Sequence, residues 1–216
     1  MKIIAINGSP RKSWNTATLL NKTLEGAASK GAQTELIHLY DKDFKGCISC
    51  FACKRKGGEY GKCAMKDELT PILEKMKEAD AIVFGSPIYY ANISSGMIAL
   101  LERFLFSNMI YSAEIPTVFP RKIASAFIYT MNVSEAYVDQ IGYKGKMAYH
   151  ENSIAKTLGK PVESLYCYNT YQFTDYDKYE SSIFSEKDKA KHREEQFPVD
   201  CQKAFALGEK LACIEN

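Results

Sequence analysis

The sequence predicts an α/β protein built on a doubly wound, five-stranded parallel sheet of strand order 2-1-3-4-5, with helices on both faces. Three observations predict it. Short apolar runs alternate along the chain with stretches of helical periodicity. The first and third of these runs both end in Gly-Ser-Pro, at Gly8-Ser9-Pro10 and Gly85-Ser86-Pro87. Those are the strand ends where an open parallel sheet reverses its winding and binds its ligand. Finally, 216 residues suffice for one sizeable domain and are short for two.

The elements follow in order. Lys2–Ile6 is an apolar run that breaks at Asn7, as a buried strand entering a loop does. Asn15–Ser29 carries Leu19, Leu20, Leu24, Ala27 and Ala28 at helical spacing, with Gly31 as a stop. Thr34–Leu39 alternates and reads as the second strand. Lys66–Ala79 is expected to be a helix, with Asp67 as its N-cap and Leu69, Ile72, Leu73 and Met76 on one face. Ala81–Phe84 is the third strand and Ser94–Phe106 the next helix. Lys122–Tyr129 and Val162–Tyr168 are the fourth and fifth strands, separated by a helix over Lys146–Thr157 that Gly159 and Pro161 close. Glu186–Cys213 completes the chain as a long helix with an interruption at Pro198. No repeat or linker divides the sequence. Residues 1–216 are therefore expected to form one unit, with a cysteine-rich loop over 46–64 and a tyrosine-rich C-terminal extension over 166–216.

Composition narrows the functional classes. Hydrophobic residues make up 46% and charged residues 25%, ordinary values for a globular protein. Lys+Arg 28 against Asp+Glu 26 leaves a net charge of +2, which supplies no electrostatic footprint for nucleic acid or an anionic membrane. The basic runs Lys54-Arg55-Lys56 and Lys187–Arg193 have acidic residues close by and read as solvated surface. Four apolar residues precede Asn7, too few for a secretory signal, and no run approaches a membrane span. A cytoplasmic protein with reduced thiols is expected.

The first loop, Asn7–Thr18, has one glycine and matches neither the dinucleotide fingerprint nor the P-loop. It offers Ser9, Ser13, Asn15, Thr16 and Thr18, the cations Arg11 and Lys12, and the N-terminus of the following helix. Free backbone N–H groups there form an anion site that suits a terminal phosphomonoester. The loop after strand three runs Pro87-Ile88-Tyr89-Tyr90, apolar and aromatic, as the walls of a flat conjugated ring require.

Taken together, Gly8-Ser-Pro-Arg-Lys-x-x-Asn-Thr16 and Gly85-Ser-Pro-Ile-Tyr-Tyr90 resemble the flavodoxin-like NAD(P)H-dependent FMN reductases and their iron–sulfur flavoprotein relatives. The resemblance covers roughly 1–130. It implies a flavodoxin-like fold, bound FMN, and NAD(P)H as co-substrate. It implies that Ser9, Arg11, Lys12, Asn15, Thr16 and Ala17 hold the FMN phosphate. Pro87, Ile88, Tyr89, Tyr90 and Asn92 would line the ribityl chain and ring, with Thr130, Met131 and Asn132 bordering its other edge. It also implies a homodimer or homotetramer with flavin sites near subunit boundaries. One position departs from the pattern: Trp14 stands where the family usually has a small residue.

Four of the seven cysteines crowd together as Cys47-x₂-Cys50-x₂-Cys53 followed by Cys63. Such an array suits a [4Fe–4S] cluster. The nine residues between Cys53 and Cys63 make a longer final gap than is usual in iron–sulfur flavoproteins. Reduced or redox-active thiols, including a reversible Cys47/Cys50 disulfide, and tetrahedral zinc fit the spacing as well. All three readings stay open at this point.

The segment Tyr166–Tyr179 is unusually aromatic and reads either as an oligomer interface or lid, or as packing against the C-terminal helix. His38, His150 and His192 are isolated in sequence and read as surface or structural histidines. The expected function is electron transfer from NAD(P)H through FMN to a small-molecule or protein acceptor. An electron-carrying flavoprotein with a [4Fe–4S] cluster, and a thiol- or zinc-based sensor, are its rivals.

Overall fold

A computed structural model of the chain describes residues 1–214. The strands are β1 (Lys2–Asn7), β2 (Gln33–His38), β3 (Ala81–Tyr89), β4 (Asn92–Ile93), β5 (Ala124–Thr130) and β6 (Val162–Cys167). The helices are α1 (Asn15–Ser29), α2 (Thr70–Glu78), α3 (Ser95–Asn108), α4 (Glu135–Gln140), α5 (Tyr143–Leu158), α6 (Glu186–Glu195) and α7 (Phe197–Ala212). The parallel strands lie in the order β2-β1-β3-β5-β6, and β4 pairs antiparallel with β3. Counting the five long strands in sequence, this is the expected 2-1-3-4-5 order of a doubly wound sheet.

Alternation along the strands divides the core between two faces. Ile4 and Ile6 of β1 join Phe84, Phe127 and Tyr129 under α2, α3 and α5. Ile3 and Ala5 join Val83, Ala126 and Ile128 under α1 and α7. The second face is lined by smaller side chains, and there α1 and α7 approach closely. A Cβ on Gly26 would overlap the Phe205 carbonyl, and one on Gly208 would overlap the Thr23 carbonyl.

Register brings the carboxyl ends of the central strands level: Asn7 pairs with Gly85, Pro87 with Thr130, and Thr130 with Cys167. The loops after β1 and β5 therefore converge on the end of β3. The second Gly-Ser-Pro does not break its strand as expected, because Gly85, Ser86 and Pro87 stay paired with β5 and β3 runs on to Tyr89.

Several boundaries differ from expectation, each for a physical reason. The second helix starts at Thr70, with Pro71 in its first turn, and Asp67 does not cap it. The Asp67 carboxylate instead accepts from the Leu69 N–H and from the buried guanidinium of Arg103. Two short elements, β4 and α4, carry too few residues for periodicity to reveal; α4 is capped by the Ser134 hydroxyl. The long C-terminal helix is two helices meeting at Gln196, and Pro198 sits in the first turn of α7. Proline is pre-organised for that position, so it starts the second helix and does not interrupt the first. The last two residues of the extension lie outside the described residues.

The cysteine-rich loop between β2 and α2 is mostly irregular, with one 3₁₀ turn at Ala52–Lys54. Buried Arg103 gathers the two ends of that loop by donating to the carbonyls of Lys45 (3.2 Å) and Met65 (3.4 Å). The Lys54 ammonium donates to the carbonyls of Phe106, Ser107 and Met109, where α3 ends. A cation at that end satisfies orphan carbonyls and complements the helix dipole.

Candidate functional site

The first loop is built on Asn7. Its buried side chain accepts the Ser9 N–H (2.9 Å) and donates to His38 Nδ1 (2.9 Å), while the Ser9 hydroxyl accepts the Arg11 N–H (3.1 Å). These side-chain to backbone bonds give the turn its shape. Gly8 is required by close approach. Its N–H donates to the Gly85 carbonyl at 2.8 Å, and a Cβ would lie 3.0 Å from both Met97 Cβ and Ser94 Oγ. The two Gly-Ser-Pro segments thus touch. The second serine, Ser86, is buried and accepts the Ser94 N–H at 2.9 Å, and Ser94 in turn caps α3. Ser9 belongs to the cleft, whereas Ser86 braces the loop after β3.

Helix α1 begins with Trp14 at its N-cap and no side-chain cap hydrogen bond. The first-turn N–H groups, at Asn15, Thr16 and Ala17, are the ones a cap or an anion would satisfy. Beside this helix start lies a cleft lined by Ser9, Arg11, Trp14, Asn15 and Thr16 at one end. Pro87, Ile88 and Tyr89 form one wall, and Thr130, Met131 and Asn132 the other. Ten of the sequence-predicted residues are brought together here: Ser9, Arg11, Asn15, Thr16, Pro87, Ile88, Tyr89, Thr130, Met131 and Asn132. Tyr89 is half-exposed, and burial raises its phenol pKa, as does Tyr40 nearby, with Arg11 acting in the opposite sense.

Four predicted residues stand outside that lining. Lys12 forms an ion pair with Asp41 at 2.5 Å. The Ala17 side chain is fully buried in the α1 face, so only its backbone is available to the loop. Tyr90 and Ala91 hold left-handed backbone (φ 48° and 63°) at the tip of the β3–β4 hairpin, which leaves the Tyr90 ring fully exposed. Tight hairpins demand positive φ at such positions. The Asn92 side-chain oxygen Oδ1 accepts the N–H of its neighbour Ile93 (2.9 Å) and lies 3.0 Å from His150 Nε2.

Sequence reasoning missed Thr170, Tyr171 and Gln172, which complete the lining. It also missed Lys189, buried behind the second wall. The Lys189 ammonium donates to the Asn132 carbonyl (2.7 Å) and to Asn169 Oδ1 (2.9 Å) and lies 4.9 Å over the Phe184 ring. Burial pulls its pKa down to about 8. Thr170, Tyr171 and Gln172 fall within the aromatic segment 166–179, which reads in sequence as an interface or lid or as packing, whereas no local signal marks Lys189, which reaches the cleft from the far end of the chain. The Tyr-rich segment packs on itself, with Tyr171 and Phe173 against Tyr176 (5.0 and 5.1 Å).

The cysteines are differently placed. Cys53 is buried, Cys47 and Cys63 are half-buried, and Cys50 is exposed. Burial pushes the Cys53 thiol up. Among the described residues, no group of three or more His, Cys, Asp or Glu side chains converges in metal-holding geometry. As arranged, the four thiols do not converge on a common metal position. No helix among the described residues is long and apolar enough to cross a membrane.

The chain is similar to known proteins in sequence and in fold. An iron–sulfur flavoprotein of Methanocaldococcus jannaschii is 45% identical over 103 residues, covering 48% of this chain and 51% of the relative. The chain spans about half the length of the curated relatives it matches (51% for the first two). Among solved structures, an NAD(P)H:quinone oxidoreductase from Methanothermobacter marburgensis superposes with a TM-score of 0.71 at 15% identity, over 98% of both chains. An archaeal flavodoxin gives 0.50 at 18% identity, over 98% of this chain and 96% of its own. These two likenesses show the flavodoxin-like fold. The profile described as NADPH-dependent FMN reductase matches residues 1–135, from β1 through both walls of the cleft. The chain belongs to the NADPH-dependent FMN reductase family.

Proposed function

We propose that the protein is an FMN-dependent oxidoreductase that takes electrons from NAD(P)H and passes them to a small-molecule or protein acceptor. The observation that carries this reading is the uncapped start of α1, flanked by Ser9, Arg11 and Thr16, opening onto the slot between Pro87–Tyr89 and Thr130–Asn132. A phosphomonoester fits the first part and a flat ring the second. Bound FMN would supply the hydride and electron chemistry. The chain's own residues bind, orient and shield. The N–H groups at the α1 start and Arg11 hold the phosphate. Ile88, Tyr89 and Met131 would exclude water from the ring. Half-exposed Tyr89 leaves access for a nicotinamide. No side chain is assigned as a general acid or base.

A second reading is an electron-carrying flavoprotein with a [4Fe–4S] cluster at Cys47, Cys50, Cys53 and Cys63. It is favoured by the names of the curated relatives and opposed by the unconverged thiols.

The test is the visible spectrum of anaerobically purified protein, with iron and sulfide assayed on the same sample and NAD(P)H oxidation followed with a quinone acceptor. Flavin bands without iron, together with turnover, support the reductase. About four irons per chain with no turnover would favour the carrier. Absence of flavin even after reconstitution overturns both.

A further inference from the structure

The phosphate end of the cleft is closed by a strap that lies outside the region the family profile matches. The Trp14 indole N–H donates to the Tyr171 carbonyl at 3.0 Å, and the Asn15 amide donates to the same oxygen at 2.8 Å. The Arg11 guanidinium donates to the Gln172 carbonyl at 2.5 Å and lies 5.3 Å over the Trp14 ring. Arg193 of α6 donates to Asn15 Oδ1 at 2.8 Å, which fixes the end of the amide that faces Tyr171. At its other end the strap is tied to the loop after β5. The Thr170 N–H and hydroxyl both donate to the Met131 carbonyl, at 2.9 and 3.1 Å. The Gln172 N–H donates to the Tyr176 hydroxyl at 3.1 Å.

Trp14 itself is unexplained by helix capping. N-cap positions favour Ser, Thr, Asp or Asn, and the indole makes no cap hydrogen bond. Its polar atom is spent on the strap.

We propose that Trp14 and the Tyr171–Gln172 backbone make the site selective for a flavin mononucleotide over a flavin dinucleotide. The proposal rests on the FMN reading and assigns its specificity. A phosphomonoester terminates in the cradle. A dinucleotide must carry a second ester bond out of that cradle to another phosphate, a ribose and an adenine. The indole ring and the strap backbone line that end of the cleft beside Ser9 and Arg11, where such an exit would lie. Admitting the dinucleotide requires breaking the Trp14, Asn15 and Arg11 bonds to the strap and leaving those partners unpaired, a type of penalty that gives strong discrimination.

The experiment is calorimetric titration of the flavin-free full chain with FMN and with FAD, for the wild type, Trp14→Gly and Trp14→Phe. Wild type should prefer FMN by at least about 100-fold. Trp14→Gly should narrow that preference by about tenfold or more, through tighter FAD binding. FMN binding is free to change as well, since Trp14 lines the cleft, so the readout is the ratio of the two affinities, with a circular-dichroism melt matching wild type showing the fold intact. Trp14→Phe, which keeps a ring and loses the donor, should fall between the two. Equal affinity of the wild type for both flavins overturns the strap assignment and leaves the FMN reading standing. An unchanged preference in both variants overturns it as well. Binding of neither flavin by the wild type overturns the FMN reading and this inference with it.

Discussion

The hydroxyls of Thr16 and Thr130 lie 2.7 Å apart and join the first turn of α1 to the last residue of β5. Both are buried and both line the cleft. Thr16→Val keeps the shape and leaves the Thr130 hydroxyl without this partner. A buried group so orphaned costs about 1–3 kcal/mol. Urea unfolding should show a loss in that range together with weaker FMN binding. A variant as stable as wild type would mean that water replaces the lost partner.

Close packing of α1 against α7 gives a second prediction. In Gly208→Ala the new methyl meets backbone at Thr23 O and Ala27 N, and backbone cannot rotate away. Overpacking of this kind costs about 1–3 kcal/mol and often more. Because the proposed phosphate cradle lies at the start of α1, FMN affinity should fall along with the melting temperature. Retention of both would show that the two helices can separate without disturbing the first loop.

Lys189 supplies a pH dependence. Its folded pKa of about 8 lies below the ordinary lysine value. Between these values the unfolded chain holds a proton that the folded protein lacks, so stability from this group rises as pH increases above 8. Against Lys189→Gln, which does not titrate, wild type should gain relative stability from pH 7 to pH 9.5 in paired urea melts. A constant difference across that range would place the amine in a more solvated setting than its burial implies.

Asp67 and Arg103 predict the opposite slope. The Arg103 side chain is fully buried and Asp67 is 19% exposed. Burial alone would raise the Asp67 pKa, but the Arg103 guanidinium and the Leu69 N–H hold it below the usual carboxylate range. Asp67→Asn strands a buried cation and should cost about 3–5 kcal/mol at neutral pH. A depressed folded pKa means the stabilisation is present above the ordinary aspartate value and lost as pH falls through the folded value. The gap between wild type and variant should therefore shrink in acid, as guanidinium melts at pH 7, 5 and 3.5 would register. A gap that persists unchanged at low pH would argue against the ion pair.

Much of the fold was legible because its signals are local. β1 and β3 are buried on both faces and read as apolar runs, and α1 occupies the span its leucines mark. The two Gly-Ser-Pro segments are visible in one dimension, and parallel pairing of β1 with β3 brings them together, although only the first ends its strand. Where local signals competed, reading failed. Asp67 has the form of a cap, yet its carboxylate goes to Arg103, 36 residues away. Tyr90 has the form of a ring wall, yet the hairpin backbone turns it outward.

The sequence alone therefore determined the parallel sheet, its strand order, and ten of the residues that meet in the cleft. Tertiary structure alone decided how the cleft ends. Arg11, Trp14 and Asn15 bond to a segment 156 to 161 residues further along, and Lys189 comes up behind Asn132 from α6. Contacts at that separation depend on how α6, α7 and the aromatic strap fold back over α1. Strand and helix periodicities report which face of an element is buried, and they carry no information about which distant segment covers it.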